Sequence, residues 1–288
     1  MPKKIFPPHT EPYMRYVCRV AYDGTQFHGF QFQREGKKTI CGALSTAFQQ
    51  IFQIRLKPVG ASRTDSGVHA RGQVIHFDIP ERIGIKDLRK FEISMNAVLP
   101  QTVQVYDTIP APLGTPEQIA INETFHSCKS ALKKKYVYRF CLTRHLDPLL
   151  RNFVYQRKQP MDVDLFHQAL QIFPGTHNFR AFGSTLDRVA EEMSQYNLEF
   201  TPVRTVQSVH LLEEPGLPGY FRVEMELESA IYRMVRNIVG TCFEVGAGKI
   251  SMDELRSLLH EGKHRQANPA IPAKPHGLCL ERVYYDHY

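Results

Sequence analysis

The 288-residue chain has no tryptophan, and none of its six cysteines stands in a C-x-x-C pair. The closest two, Cys128 and Cys141, are too far apart for a zinc knuckle. A disulfide scaffold fits poorly at this length and cysteine density, so a reducing compartment is expected. No run approaches the roughly 20 apolar residues that a membrane span needs, so no membrane association is expected. The opening Met1-Pro2-Lys3-Lys4-Ile5-Phe6-Pro7-Pro8 lacks the apolar centre of a secretory signal. Residues 1–12 read as a flexible tail. The cytoplasm is the expected compartment, with a mitochondrial or nuclear destination left open. Gly246-Ala247-Gly248-Lys249 has the look of a phosphate-loop tail, but Phe243 stands where its first glycine belongs and Ile250 where Ser or Thr belongs. A helix ending at Gly246 explains it better.

What the chain does contain is 42% apolar residues, enough for real cores, and an excess of cations that gives a net charge of +7 and a pI near 9.0. That excess favours an anionic partner, of which nucleic acid is the commonest.

Periodicity divides the chain into two halves. Residues 14–21 alternate as a strand, and Leu44, Ala47, Phe48, Ile51 and Phe52 recur at helical spacing behind Thr39, a natural N-cap. Strands follow at 56–62 and 73–79, with Ile75, Phe77 and Ile79 on one face. A helix marked by Ile85, Leu88, Phe91 and Met95 and a strand at 102–108 complete the half. The order is βαββαβ. Prolines at 110, 112 and 116 mark a linker. The order recurs with longer loops: strands at 135–142, 205–211, 221–227 and 278–285, and helices marked by Phe166, Ala169 and Leu170, by Ile231 to Phe243, and by Leu255, Leu258 and Leu259. Ser251-Met252-Asp253-Glu254 has capping-box spacing. The expectation is an α+β fold of two ferredoxin-like (βαββαβ) halves, 13–110 and 124–288, joined by a linker at 111–123. Their antiparallel sheets lie side by side, with a cleft between them.

Two motifs compete for the chemistry. His260-Glu261-Gly262-Lys263-His264 spells a zinc-binding pattern that needs both histidines on one continuing helix, and Gly262 reads instead as a helix stop. No metal is expected. The segment Ala61-Ser62-Arg63-Thr64-Asp65-Ser66-Gly67-Val68-His69-Ala70 places a carboxylate in a turn between two strands. Alone, such an aspartate is usually structural. Yet the segment resembles the signature of the TruA family of pseudouridine synthases, and five further segments resemble that family's motifs in the same order. They are Tyr22-Asp23-Gly24-Thr25 with Gly29-Phe30-Gln31, then Lys135-Tyr136-Val137-Tyr138, Gly175 to Phe182, Met234 to Gly240, and Pro275 to Leu280.

The resemblance implies a tRNA pseudouridine synthase, an isomerase needing no cofactor, acting on uridines in or near the anticodon stem-loop. It implies that Asp65 is the catalytic carboxylate, attacking the sugar at C1′ or the uracil at C6, or assisting departure of the base. A carboxylate in a partly desolvated site needs a neighbouring cation to stay ionised, and Arg236 would supply it. Tyr136 would stack on the uracil, with Tyr138 a competitor two residues on. Arg63 would help extrude the base. His69 and Lys135 join Tyr136 and Arg63 as substrate-binding candidates. Phosphate contacts are expected from a cationic set that includes Arg15, Arg19, Arg34, Lys133 and Arg233. The family's tendency to dimerise makes a homodimer a further expectation. The family often carries tryptophan where Phe30 stands, and Phe125-His126-Ser127-Cys128-Lys129-Ser130 matches its usual lead-in only loosely. The alternative is a non-catalytic RNA-binding protein or RNA chaperone on the same fold, against which the presence of Asp65, Tyr136 and Arg236 together argues.

Overall fold

The computed structural model describes residues 12–33, 36–112, 124–186, 190–191, 194, 200–286 and 288. The expected tail up to residue 11, the linker from 113 to 123 and Arg34 lie outside them. The architecture is mixed α and β. It divides into two units, one of residues up to Ala131 with Tyr285–Tyr288 and one of Leu132–Tyr284.

In the first unit the order is β1 (Tyr13–Tyr22), α1 (Ile40–Phe52), β2 (Val59–Gly60), β3 (His69–Pro80), α2 (Leu88–Val98) and β4 (Val103–Pro110). β1 runs antiparallel between β3 and β4, and β2 pairs with the other edge of β3. Cys18 faces Ile75 and Tyr16 faces Phe77, so the period of two gathers an apolar set on one face. The helices bury their stripes there. Phe48 stands 4.7 Å and Phe91 5.7 Å from the Phe77 ring, with Leu44 and Met95 fully buried beside them. Side-chain caps set the helix starts: Thr39 Oγ1 accepts from Gly42 N–H at 3.1 Å and Asp87 from Lys90 N–H at 3.0 Å. The second strand is far shorter than the expected 56–62. Pro58 has no N–H for a ladder, and the Leu56 carbonyl accepts from Ser45 Oγ.

The opposite face of this sheet carries an ion pair, Arg15–Asp78 at 2.7 Å, and beside it the buried His76, whose Nδ1 accepts from Ser127 N–H at 3.1 Å. Burial, together with the charges of Arg15 and His126, lowers His76 to about 3. The folded chain therefore keeps His76 neutral while the unfolded chain takes up a proton below about pH 6.5. Stability is fully present above that pH and is lost as pH falls from 6.5 towards 3. Between pH 6.5 and 5.0 the unfolding free energy is expected to fall by about 2 kcal/mol from this residue. Urea titrations at both pH values measure it. A His76→Asn variant with an undiminished slope would refute the assignment.

In the second unit the order is β5 (Lys133–Cys141), β6 (Tyr155–Gln156), α3 (Val163–Leu170), β7 (Gly175–Asn178), β8 (Val203–Glu213), β9 (Tyr220–Leu227), α4 (Met234–Gly246), α5 (Met252–His260) and β10 (Leu278–Tyr284). The antiparallel strands run β10-β5-β9-β8-β7, with β6 parallel to the end of β5. One face is apolar. Phe140, Phe166 and Phe243 stand 5.1–5.3 Å apart and anchor α3 and α4 to the sheet. The other face is charged, with Lys133–Glu226 and Lys135–Glu224 pairs at 2.7 Å and Arg222 bridging Glu214 and Glu224. This is the wet face that the alternation in β9 predicts. α4 starts at Met234 and not at Ile231, because Arg233 takes the left-handed conformation (φ +63°) and turns the chain before the helix begins. The capping box at Ser251 and Glu254 forms as its spacing predicts.

Candidate active site

Asp65 sits in an irregular segment between β2 and β3, and a second loop from residues 22–30 braces it along its length. Phe30 N–H donates to Thr64 O at 3.1 Å, and Gly67 N–H and Ser66 Oγ both donate to Phe27 O at 3.2 Å. Thr64 Oγ1 is 2.7 Å from the Tyr22 hydroxyl. The turn closes through Val68 N–H to Asp65 O at 3.2 Å, with Gly67 at φ +76°. Asp65 is half-buried, and its backbone is held on both sides. Such bracing fixes a side chain's direction before any ligand arrives.

Two glycines permit this contact. A Cβ on Gly24 would stand 2.0 Å from Val68 O, and one on Gly29, already at φ +91°, 2.9 Å from Thr64 O. Gly24→Ala is therefore expected to push the loops apart. The backbone oxygen cannot yield as a flexible side chain would. A displacement near 1 Å is enough for a rate loss of about 10²-fold. Turnover measured at a temperature where circular dichroism shows the variant folded checks this, and a loss below threefold would count against it.

His69, the first residue of β3, is buried in the same junction. Its Nδ1 accepts from Gly24 N–H at 3.0 Å and lies 3.2 Å from the Asp23 carboxylate. That places His69 as a brace between the two loops. Sequence reasoning missed Gln73. It is fully buried, donates to Ser62 O at 2.7 Å, accepts from Ser62 N–H at 3.1 Å, and reaches the Tyr22 hydroxyl at 3.5 Å. Arg63 is exposed. Among the described residues it makes no hydrogen bond or ion pair.

Tyr136 and Tyr138 project from the same face of β5, both buried. Tyr138 is committed to the core. Its hydroxyl donates to Lys274 O at 3.0 Å, its ring meets Phe243 edge-on at 6.1 Å, and burial pushes its hydroxyl well above the ordinary tyrosine value. Lys135 points to the opposite face, 2.7 Å from Glu224, whose hydrogen bond raises its ammonium above the usual range. The structure does not bring Lys135 to the Tyr136 side of the sheet.

Arg236 lies in the first turn of α4 and is half-buried. Its Nε–H donates to Ala273 O at 2.7 Å while Ala273 N–H donates to Arg236 O at 2.9 Å, a reciprocal pair that fixes the guanidinium's plane. A Cβ on Gly240 would stand 2.2 Å from Ile271 O, so this glycine lets the 271–273 segment lie against α4. The rejected motifs resolve as helix ends. α4 stops at Gly246, and α5 stops at His260 with Gly262 at φ +59°.

A family model described as tRNA pseudouridine synthase matches residues 19–114 and 169–286. Relatives carry that name too. A tRNA pseudouridine synthase A of a Geobacillus species is 35% identical over 95% of this chain and 99% of its own, and that of Bacillus subtilis is 35% identical over 95% and 100%. The tRNA pseudouridine synthase A 1 of Protochlamydia amoebophila is 32% identical over 94% and 96%. Matches over nearly the whole chain, on an α+β scaffold, define an isomerase. The chain belongs to the tRNA pseudouridine synthase family.

Proposed function

We propose that this protein isomerises uridine to pseudouridine in tRNA, with Asp65 as the reacting carboxylate, Arg236 as its counter-charge, Tyr136 as the platform for the uracil and Arg63 as the residue that helps extrude the base. The observation that carries the reading is the bracing of the Asp65 loop by the 22–30 loop, two motifs some forty residues apart in the chain joined by four hydrogen bonds. Stacking on an aromatic ring is worth about 1–3 kcal/mol per base. Tyr136 takes that role because Tyr138 is bound into the core through Lys274 and Phe243. Arg63, exposed beside Asp65, is suited to enter the space of an extruded base, an event that requires a few kcal/mol.

The reaction breaks the N1–C1′ bond, turns the uracil and forms C5–C1′, with loss of the C5 proton and gain of one at N1. It consumes neither electrons nor water. The target uridine is assigned to the anticodon stem-loop region, and each half to a ferredoxin-like unit. The strand order β4-β1-β3-β2 in the first half and β10-β5-β9-β8 in the second support that assignment. The reading includes a homodimer, which sedimentation of the purified chain tests.

The experiment is direct. Transfer RNA carrying tritium at uracil C5 should release tritium to water in step with pseudouridine formation, and sequencing of the product should locate it near the anticodon. A non-catalytic RNA-binding protein would bind the same tRNA and release none.

A further inference from the structure

The second unit holds a cavity of about 300 Å³ bordered by Arg180, Thr185, His264, Arg265 and Asn268. That volume lies at the lower end of the roughly 300–1,000 Å³ usual for ligand pockets. Its charge is one-sided, since two guanidiniums and an imidazole line it and no acidic side chain does among the described residues.

Arg265 is the informative member. Its Nη1 and Nη2 donate to the carbonyls of Asn268 and Ala270, and among the described residues no carboxylate pairs with it. Burial alone pulls its guanidinium below the ordinary arginine value. Arg139 and Arg222 of this unit face glutamates, whereas Arg204, like Arg265, donates to backbone carbonyls; what sets Arg265 apart is its place on the cavity beside Arg180 and His264. A desolvated cation without an anion is unfavourable unless an anion completes it. Thr185, on the rim, adds a second sign of function. It is β-branched yet held at φ +58°, a conformation such residues rarely adopt. The wall beside it is tight, because a Cβ on Gly183 would stand 2.5 Å from Ile231 Cδ1 and 2.6 Å from Leu186 Cδ1.

We propose that this cavity is a phosphate subsite for the RNA backbone, in which Arg180 and Arg265 take the phosphate oxygens, with His264 and Thr185 at the rim. The inference deepens the RNA reading above and rests on it. Arginine suits the task because a guanidinium carries five N–H donors, so Arg265 has donors left for a phosphate beyond the two it gives to carbonyls. Folded RNA is engaged mainly through its backbone and shape, so a fixed cationic pocket registers the substrate without reading a base.

The test uses the full chain, unmodified tRNA and a series of KCl concentrations. Two variants remove the pocket's function by different routes. Arg265→Gln deletes the charge and keeps an amide to reach the carbonyls. Thr185→Asp adds a negative charge at the rim, and aspartate tolerates the left-handed conformation better than threonine does; circular dichroism checks that each variant is folded. Both should raise Kd roughly 10-fold and flatten the dependence of log Kd on log salt by about one phosphate's worth. The single-turnover rate at saturating tRNA should stay within about twofold of wild type. Unchanged affinity and slope in both variants would overturn the subsite. Inorganic phosphate provides the second arm, since it should raise the melting temperature of wild type more than of either variant. If it does so while tRNA affinity is unaffected by the substitutions, the occupant is free phosphate and the RNA assignment falls. If wild type binds no tRNA at all, the proposed function fails, and the melting shift with phosphate still decides whether the pocket takes a phosphate.

Discussion

Asp65→Asn should abolish pseudouridine formation, with a rate loss of roughly 10⁴-fold or more, the scale seen when a reacting nucleophile is removed from an otherwise intact site. The substitution is close to isosteric. The bonds that join the loop to residues 22–30 are made by its neighbours' backbone and by the Thr64 and Ser66 hydroxyls, so they survive it. The Asp65 side chain is only half-buried, and the melting temperature should move little. Affinity for tRNA should stay within about threefold, because phosphate contacts and base stacking carry most of the binding. Turnover, melting temperature and Kd measured on one preparation separate the cases. Near-wild-type turnover would sink the assignment of Asp65, and a collapse of all three together would make it a structural turn residue. Asp65→Glu refines the result. It keeps the charge and displaces it by one methylene, so a large loss there shows that position as well as charge matters.

The order of elements was legible because periods of two and 3.6 survive in strands and helices that bury one face. Thr39 as a cap, the Ser251 capping box and the wet face of β9 follow from local chemistry and are present. β6 and β7, of two and four residues, are too short to show a period. The start of α4 was misread because Ile231 continues the apolar stripe, although the left-handed Arg233 separates it from the helix. The bracing of Asp65 could not be read at all, since it depends on Gly24 and Gly29 approaching backbone about forty residues away. Two signals were present and unused. Gln73 continues the face of Ile75, Phe77 and Ile79, and a polar residue in an apolar row announces a buried hydrogen-bonded role. Lys135 adjoins Tyr136 on a strand, so the pleat sends the two to opposite faces.

Arg236→Ala should reduce turnover by about 10²–10³-fold, the range for removing one preorganised charge or donor from an active site. The rival explanation is structural, because Arg236 also ties α4 to the 270–273 segment through Ala273. Losing the Nε–H donor leaves a carbonyl short of one partner, which costs about 1–3 kcal/mol. That is a sizeable part of a typical stability but not enough to unfold the chain. The two effects separate in Arg236→Gln. Its amide can still donate to Ala273 O, so much of the stability should return. It carries no charge, so the turnover defect should persist. Recovery of turnover along with melting temperature in Arg236→Gln would show that α4 needs the hydrogen bond and the chemistry does not need the cation. Arg236→Lys completes the set by keeping a charge without the planar fork. If charge is what the reaction uses, it should be the most active of the three, while still falling below wild type because a flexible ammonium is not held in place by Ala273.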